Sequence, residues 1–428
     1  MTKRLSLILL VLMFMTVGIA AVGAQDAPVE LRIAWYNDGI EGEVLRELLD
    51  RFEADNPDID VVIDTVSYNV IRDNLASQLE AGEGPDMARV TDLAGLSQYY
   101  LNIGPYVDAE YWRESFGSTL DPMQPADAED GIYGMMTQLT ITGPYVNATL
   151  FDRAGIELPG EGATWEEWVE TATAVAEATD TPYAVAIDRS GHRVAGPAVS
   201  MGADYFDKAT GEINLIGDEG FRETAQMIVS WHEEGITPPE IWVGSEASYA
   251  DAVDSFAAGE VVLYMSGSWQ IANMSERIGD FFDWRVVPNP CGPGGCTGMP
   301  GGAALVGIAG TQHPEEVARV MDYLAGEDVY REFAARTLFI PAHSGVAASG
   351  VDFLTDDEQA RAAIGTFTAQ VPRLEPTASA LQAYPYNFII WRETPNRLEQ
   401  VIVGELTLDE AIERIQADVD QAIVEAAR

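Results

Sequence analysis

Aromatic rings and planar polar groups recur where apolar, strand-like runs of the chain end. Tyr36, Asn37 and Asp38 close the run that begins at Glu30, and Ser67 and Tyr68 follow the run from Ile59. Arg89, Thr91 and Asp92 cluster at the end of a short run from Met87, and Ser266, Gly267, Ser268 and Trp269 follow the run from Val261. In open α/β sheets, guests sit at the carboxyl ends of strands, so these positions are expected to share one groove. Flat rings pack on C–H faces, while amide, carboxylate and guanidinium groups pair with hydroxyls. That combination suits holding a small polyhydroxylated molecule.

Cleaving such a molecule is less well provided for. The sequence has neither a Gly-x-Ser-x-Gly elbow nor a His-Glu-x-x-His motif. Cys291 and Cys296, in Cys-Gly-Pro-Gly-Gly-Cys, are spaced for a disulfide over a tight loop in an oxidising compartment. Glycoside cleavage needs only two carboxylates, so a secreted carbohydrate-active enzyme stands as an alternative. The four histidines are scattered, and residues 292–302 lack both the phosphate-loop ending and the dinucleotide glycine spacing. No metal or cofactor is expected.

The elements that position these groups follow from periodicity. Residues 30–36 read as a strand; Val44, Leu45, Leu48, Leu49 and Phe52 recur at helical spacing; Asn56-Pro57 stops the helix; and 59–66 is β-branched. This β-α-β unit predicts parallel strands. A helix over 71–81 and a strand at 87–90 continue it. Thr164-Trp165-Glu166-Glu167 is a capping box opening a helix to about 178, followed by a strand at 183–187. Helices are read at 221–234, 251–258, 314–326, 355–369 and 408–427, with a strand at 261–265. The alternation predicts an α/β fold with helices on both sheet faces.

Residues 1–24 carry Lys3 and Arg4, then an uncharged apolar run ending in Val22-Gly23-Ala24. That is the layout of a secretory signal peptide cut after Ala24; a retained membrane anchor is the alternative. No cysteine lies nearby for lipid attachment. A chain of 428 residues exceeds one core and fits two lobes. With 69 acidic against 24 basic residues, the net charge is −45. Such a field disfavours nucleic acid and anionic membranes as partners.

Five stretches carry a resemblance. They are Leu31–Tyr36 running into a helix and Asn56-Pro57-Asp58-Ile59; Gly84-Pro85-Asp86-Met87; and Tyr133-Gly134 with Tyr145-Val146-Asn147, Leu150-Phe151, Ala154-Gly155 and the capping box. Phe256–Glu260 with Met265–Trp269, and Gly301-Gly302 before an apolar strand and the Pro314 helix, complete the set. In order and spacing the chain resembles the extracellular solute-binding proteins of ABC importers, in the carbohydrate-binding, maltose-binding-protein-like branch. The resemblance implies a two-lobed periplasmic-binding-protein fold with three hinge crossovers. Lobe 1 is then 25–142 plus 303–340, and lobe 2 is 143–302 plus 341–428. It also implies a monomer that captures a carbohydrate, an oligosaccharide or polyol, by hinge closure and hands it to membrane permease subunits.

Trp269 matches a family tryptophan that packs on sugar, and Tyr384 and Tyr386 fall where the family carries another ligand-facing aromatic. Strand alternation lets only one of Trp35 and Tyr36 face the groove. Arg193, in Ser190-Gly191-His192-Arg193, is a candidate from the second lobe, on a glycine-flanked loop. Gly302, with Gly301, serves the hinge or hugs the ligand. A phosphorylated polyol, the alternative ligand, would require arginine forks such as Arg89, Arg193 or Arg392 to converge. A polyamine would require several cleft carboxylates.

Overall fold

The computed structural model describes residues 27–126, 128, 130–244 and 249–426. The export segment read at 1–24 lies outside them. The first unit folds as its pattern dictates. Strand β1 (Val29–Trp35) feeds helix α1 (Glu41–Asp55), whose Val44, Leu45, Leu48, Leu49 and Phe52 are buried, and β2 (Ile59–Thr65) pairs parallel to β1. Helix α2 (Tyr68–Glu80) leads to β3 (Met87–Val90), on the other edge of β1.

The remaining strands are β4 (Met135–Asn147), β5 (Tyr183–Ile187), β6 (Val261–Gly267), β7 (Trp284–Val286) and β8 (Pro300–Gly307). They extend one sheet in the order β2-β1-β3-β8-β4-β6-β5, with β7 added on β4. The 13-residue β4 joins its two ends. Residues 135–141 pair antiparallel with β8, and residues 142–146 pair antiparallel with β6.

Buried apolar side chains fall on either side of that junction. One core draws on residues between 31 and 136 and between 303 and 346. Two others draw on residues between 141 and 299 and on segments from 338 to 419. The chain passes between sides along β4, at the entry to β8 and at 338–342. There Leu338 and Ile340 join one core while Phe339 and Ala342 join the other. Leu139 N–H donates to Ile340 O at 2.9 Å, tying two of these passages together. This is the α/β fold that the alternating pattern predicts, in the two-lobed form that the chain length and the family resemblance imply.

Local chemistry explains the helix starts. Thr164 and Glu167 form the capping box read from the sequence, and the Trp165–Thr179 helix follows it. The disulfide Cys291–Cys296 closes its loop against that helix start, where Cys291 O accepts from Trp165 N–H at 3.2 Å. A six-residue loop of this kind stiffens a turn and adds little global stability.

Gly302 marks the tightest approach of β8 to β4. A Cβ there would lie 2.3 Å from Met136 Cε and 2.4 Å from Gln138 O. Gly302→Ala is therefore expected to destabilise the protein by about 1–3 kcal/mol through overpacking. Urea unfolding checks this, with Gly310→Ala, which meets nothing within 4 Å, as the neutral control.

Candidate ligand-binding site

A cavity enclosing about 940 Å³ of empty space, its open mouth included, lies between the two sides of the sheet. Tyr36, Asn37, Asp38, Tyr68, Thr91, Arg193, Trp269 and Gly302 all reach its wall. Trp35 instead packs in the core at 1% exposure, as strand alternation requires.

The first wall is held by a buried charge triad. Arg89 has no exposed surface; its Nη1 donates to Tyr36 O and Glu41 Oε1, each at 2.6 Å, and its Nη2 to Asp38 Oδ2 at 2.8 Å. The guanidinium carbon also sits 4.1 Å from the Tyr36 ring centroid. Arg89 therefore stands behind the wall rather than in it, because both forks are committed to protein groups. Glu41 accepts from the backbone N–H of Asp38 and of Gly39, which fixes the loop that presents Asp38. Burial raises the Glu41 pKa, and Arg89 opposes that shift. Asp38 Oδ2 also accepts from Gln138 Nε2 at 3.0 Å. The β4–β8 register shifts between Met136 and Gln138, and such irregularities re-aim side chains beside sites.

The second wall hangs on Asp188, at the carboxyl end of β5. It is fully buried and accepts from Tyr264 and Ser266 hydroxyls, from Tyr249 Oη at 3.2 Å, and from Arg193 Nε at 3.4 Å. Burial raises its pKa, and Arg193 and these hydroxyls pull it back. Arg193, so anchored, lies 4.0 Å from the Trp269 ring centroid. Arg193 Nη1 donates to His192 Nδ1 at 2.6 Å, so His192 carries its proton on Nε2, facing Pro300 O and Gln382 Oε1. Burial pushes the His192 pKa down to about 3, and the imidazole is neutral.

Several expected residues fall outside the cavity wall. Ser67 is exposed at the start of α2. Asp92 Oδ1 accepts from Gly95 N–H at 2.9 Å, and burial raises the Asp92 pKa to about 6. Ser266 is spent on Asp188, and Ser268 Oγ accepts from Ile141 N–H at 3.2 Å, bracing β4. Tyr384 and Tyr386 pack on each other at 5.6 Å, and Tyr384 on Phe206, also at 5.6 Å, just before the helix Asn387–Ile402. Phe388 and Trp391 of that helix line the cavity instead. The stretch around Arg193 is no loop: Gly191–Ser200 is a helix. Gly191 is there because a Cβ would strike Trp391 Cα at 2.6 Å and Ile390 O at 2.7 Å.

The wall also contains Arg72, Gln138, Thr140, Ser190, His192, Tyr249, Asp251, Gln270, Gln382, Phe388 and Trp391, which sequence positions at strand ends do not single out. One signal was present for Arg72: it lies four residues after Tyr68 on α2, hence on the same helix face. Burial raises the Asp251 pKa to about 6. Three polar atoms of lining residues are buried without a partner among the described residues: Arg72 Nη2, Gln138 Oε1 and Trp391 Nε1.

The family model for bacterial extracellular solute-binding proteins matches residues 36–331. The chain belongs to that family. A Brucella abortus (strain 2308) protein, provisionally named a binding protein, is 22% identical to this solute-binding protein over 419 residues, covering 94% of each chain. An uncharacterized lipoprotein from the oleD 5′ region of Streptomyces antibioticus is 26% identical over 408 residues, covering 90% of this chain and 85% of its own. Among solved structures, the GacH receptor of Streptomyces glaucescens GLA.O, known unliganded and with acarbose, superposes with a TM-score of 0.72 at 17% identity over 92% and 97% of the two chains. Maltose-bound T. maritima MalE3 superposes at 0.73 and 18% identity over 92% and 99%. At these identities the likeness concerns the fold. The family places the solute-binding protein outside the cytoplasm.

Proposed function

We propose that this solute-binding protein captures a carbohydrate, an oligosaccharide or polyol, by hinge closure and delivers it to the permease of an ABC importer. The observation that carries this is the lining of the cavity. Aromatic rings arrive from both sides, Tyr36 and Tyr68 from one and Tyr249, Trp269, Phe388 and Trp391 from the other. Between them stand amides, hydroxyls and carboxylates, some with unfilled hydrogen-bonding capacity. A carbohydrate satisfies both kinds of group at once. The sugars bound by the structural relatives, acarbose and maltose, are of this class.

The moving bodies of this reading are lobe 1, residues 25–142 plus 303–340, and lobe 2, residues 143–302 plus 341–428, with the export segment 1–24 removed after Ala24. Contacts across the cavity mouth support closure. Asn69 Nδ2 donates to Tyr249 O at 3.2 Å, and the Tyr68 and Tyr249 rings meet edge-on at 5.4 Å. A guest touching both lobes favours the closed state by its differential affinity. The protein acts without chemistry of its own. Of the lining carboxylates, Asp38 is tied through Oδ2 to Arg89 and Gln138, a holding role unlike that of the acid–base pair in glycoside cleavage.

Thermal unfolding in the presence of sugars, sugar acids, sugar phosphates, polyamines and amino acids tests the class. A carbohydrate raises the melting temperature in proportion to RT ln(1 + [L]/Kd). A shift produced by polyamines or amino acids alone would overturn the reading.

A further inference from the structure

The cavity's unfilled hydrogen-bonding capacity is lopsided. At one end Arg72, Trp391, His192 and Gln382 gather. The Trp391 and His192 rings are 5.2 Å apart, and Arg72 stacks on Phe388 with its guanidinium carbon 5.5 Å from the ring centroid. The unpaired polar atoms at this end are donors. Arg72 Nη2 and Trp391 Nε1 are buried without partners among the described residues, and Trp391 is 2% exposed. His192 Nε2–H is shared between Pro300 O at 3.0 Å and Gln382 Oε1 at 3.2 Å, which orients the Gln382 amide so that its N–H groups point away from His192. The helix Gly191–Ser200 starts in the same wall, and the Ser190 side chain makes no cap to its free amides.

Most arginines at the cavity already have a carboxylate partner. Arg193 is neutralised by Asp188, and Arg89 by Asp38 and Glu41. Arg72 is the lining cation left without a carboxylate at ion-pair distance among the described residues; the buried Asp92 carboxylate acts on it from farther away, and Asp251 shares the wall. An Arg fork with an unfilled nitrogen beside neutral donors matches a carboxylate. A phosphate dianion asks for several forks. Arg89 is spent behind the wall, Arg193 is charge-paired with Asp188, and Arg392 pairs with Glu393 while 55% exposed.

We propose that the guest is an acidic carbohydrate, with a uronate-type carboxylate seated between Arg72, Trp391 and the first turn of the Gly191–Ser200 helix. This rests on the carbohydrate reading and narrows it. The test is titration calorimetry with glucuronate, galacturonate, mannuronate and their disaccharides, each beside its neutral parent sugar. At least one acid is expected to bind about 10-fold or more tightly than its parent. In Arg72→Gln that ratio falls to about one, and Arg72→Lys restores part of it. Neutral sugars that bind as well as or better than every acid overturn the acidic reading and leave the carbohydrate one standing. Sugar phosphates that outrank every uronate also overturn it. Binding of no carbohydrate at all overturns both. Should Arg72→Gln fail to fold, the acid-to-neutral ratio of the unaltered protein decides alone.

Discussion

Arg89→Ala lowers stability by about 3–5 kcal/mol, the cost of breaking a buried ion pair from one side. The substitution leaves Glu41 as an uncompensated charge at 1% exposure and strips Asp38 of its strongest partner. The mechanism gives the effect a pH signature. Burial already raises the Glu41 pKa in the folded state, and losing Arg89 raises it further. A carboxyl whose folded pKa exceeds its unfolded value binds more protons when folded, so stability falls as pH rises between the two values. The variant's deficit is therefore largest near neutrality and shrinks toward the ordinary glutamate range. Arg89→Lys recovers only part of the loss, because a point ammonium does not reproduce a fork serving Tyr36 O, Glu41 and Asp38 together. Urea midpoints at several pH values check both statements. A deficit that is independent of pH would mean that Glu41 is not the group left stranded.

Trp269→Ala weakens binding of the guest by about 1–3 kcal/mol, roughly 5- to 150-fold, through loss of a large rigid contact surface. The ring does two things. It lines the cavity, and it carries the Arg193 guanidinium 4.0 Å from its centroid. Removing it also frees Arg193 from one of its restraints, leaving Asp188 and His192 to hold the guanidinium. Circular dichroism establishes that the variant is folded, and Phe281→Ala, 68% exposed, serves as the inert control. Unchanged affinity in a folded Trp269→Ala protein would remove Trp269 from the site.

What the sequence disclosed divides along a physical line. Elements with a clean period and local punctuation were legible: β1, α1 and β2 at the amino end, the Thr164 capping box, and the strand β6 leading into Trp269. Side chains directly following those strands, Tyr36 to Asp38 and Trp269, were placed in the cavity by the same logic. Elements held helical by tertiary packing against their local signals were not. The helix Gly191–Ser200 opens with a glycine and contains Pro197, and the helix Asn387–Ile402 contains Pro395. Each reads locally as loop, yet tertiary packing holds it helical. The cavity residues they supply, His192, Phe388 and Trp391, were therefore displaced or missed. Tyr384 and Tyr386 are the visible consequence, a few residues short of the ring pair that reaches the cavity. Arg89 failed for another reason. Charge type is evident in a sequence, but its partner is not, and Glu41 lies 48 residues away.

The most direct test is equilibrium dialysis of the protein, expressed without residues 1–24, against carbohydrates that raise its melting temperature, followed by chromatography of what it retains. A clamp that only holds its guest keeps about one sugar per chain and returns it unaltered after denaturation. Steady disappearance of the sugar, or no retention of any carbohydrate, would contradict it.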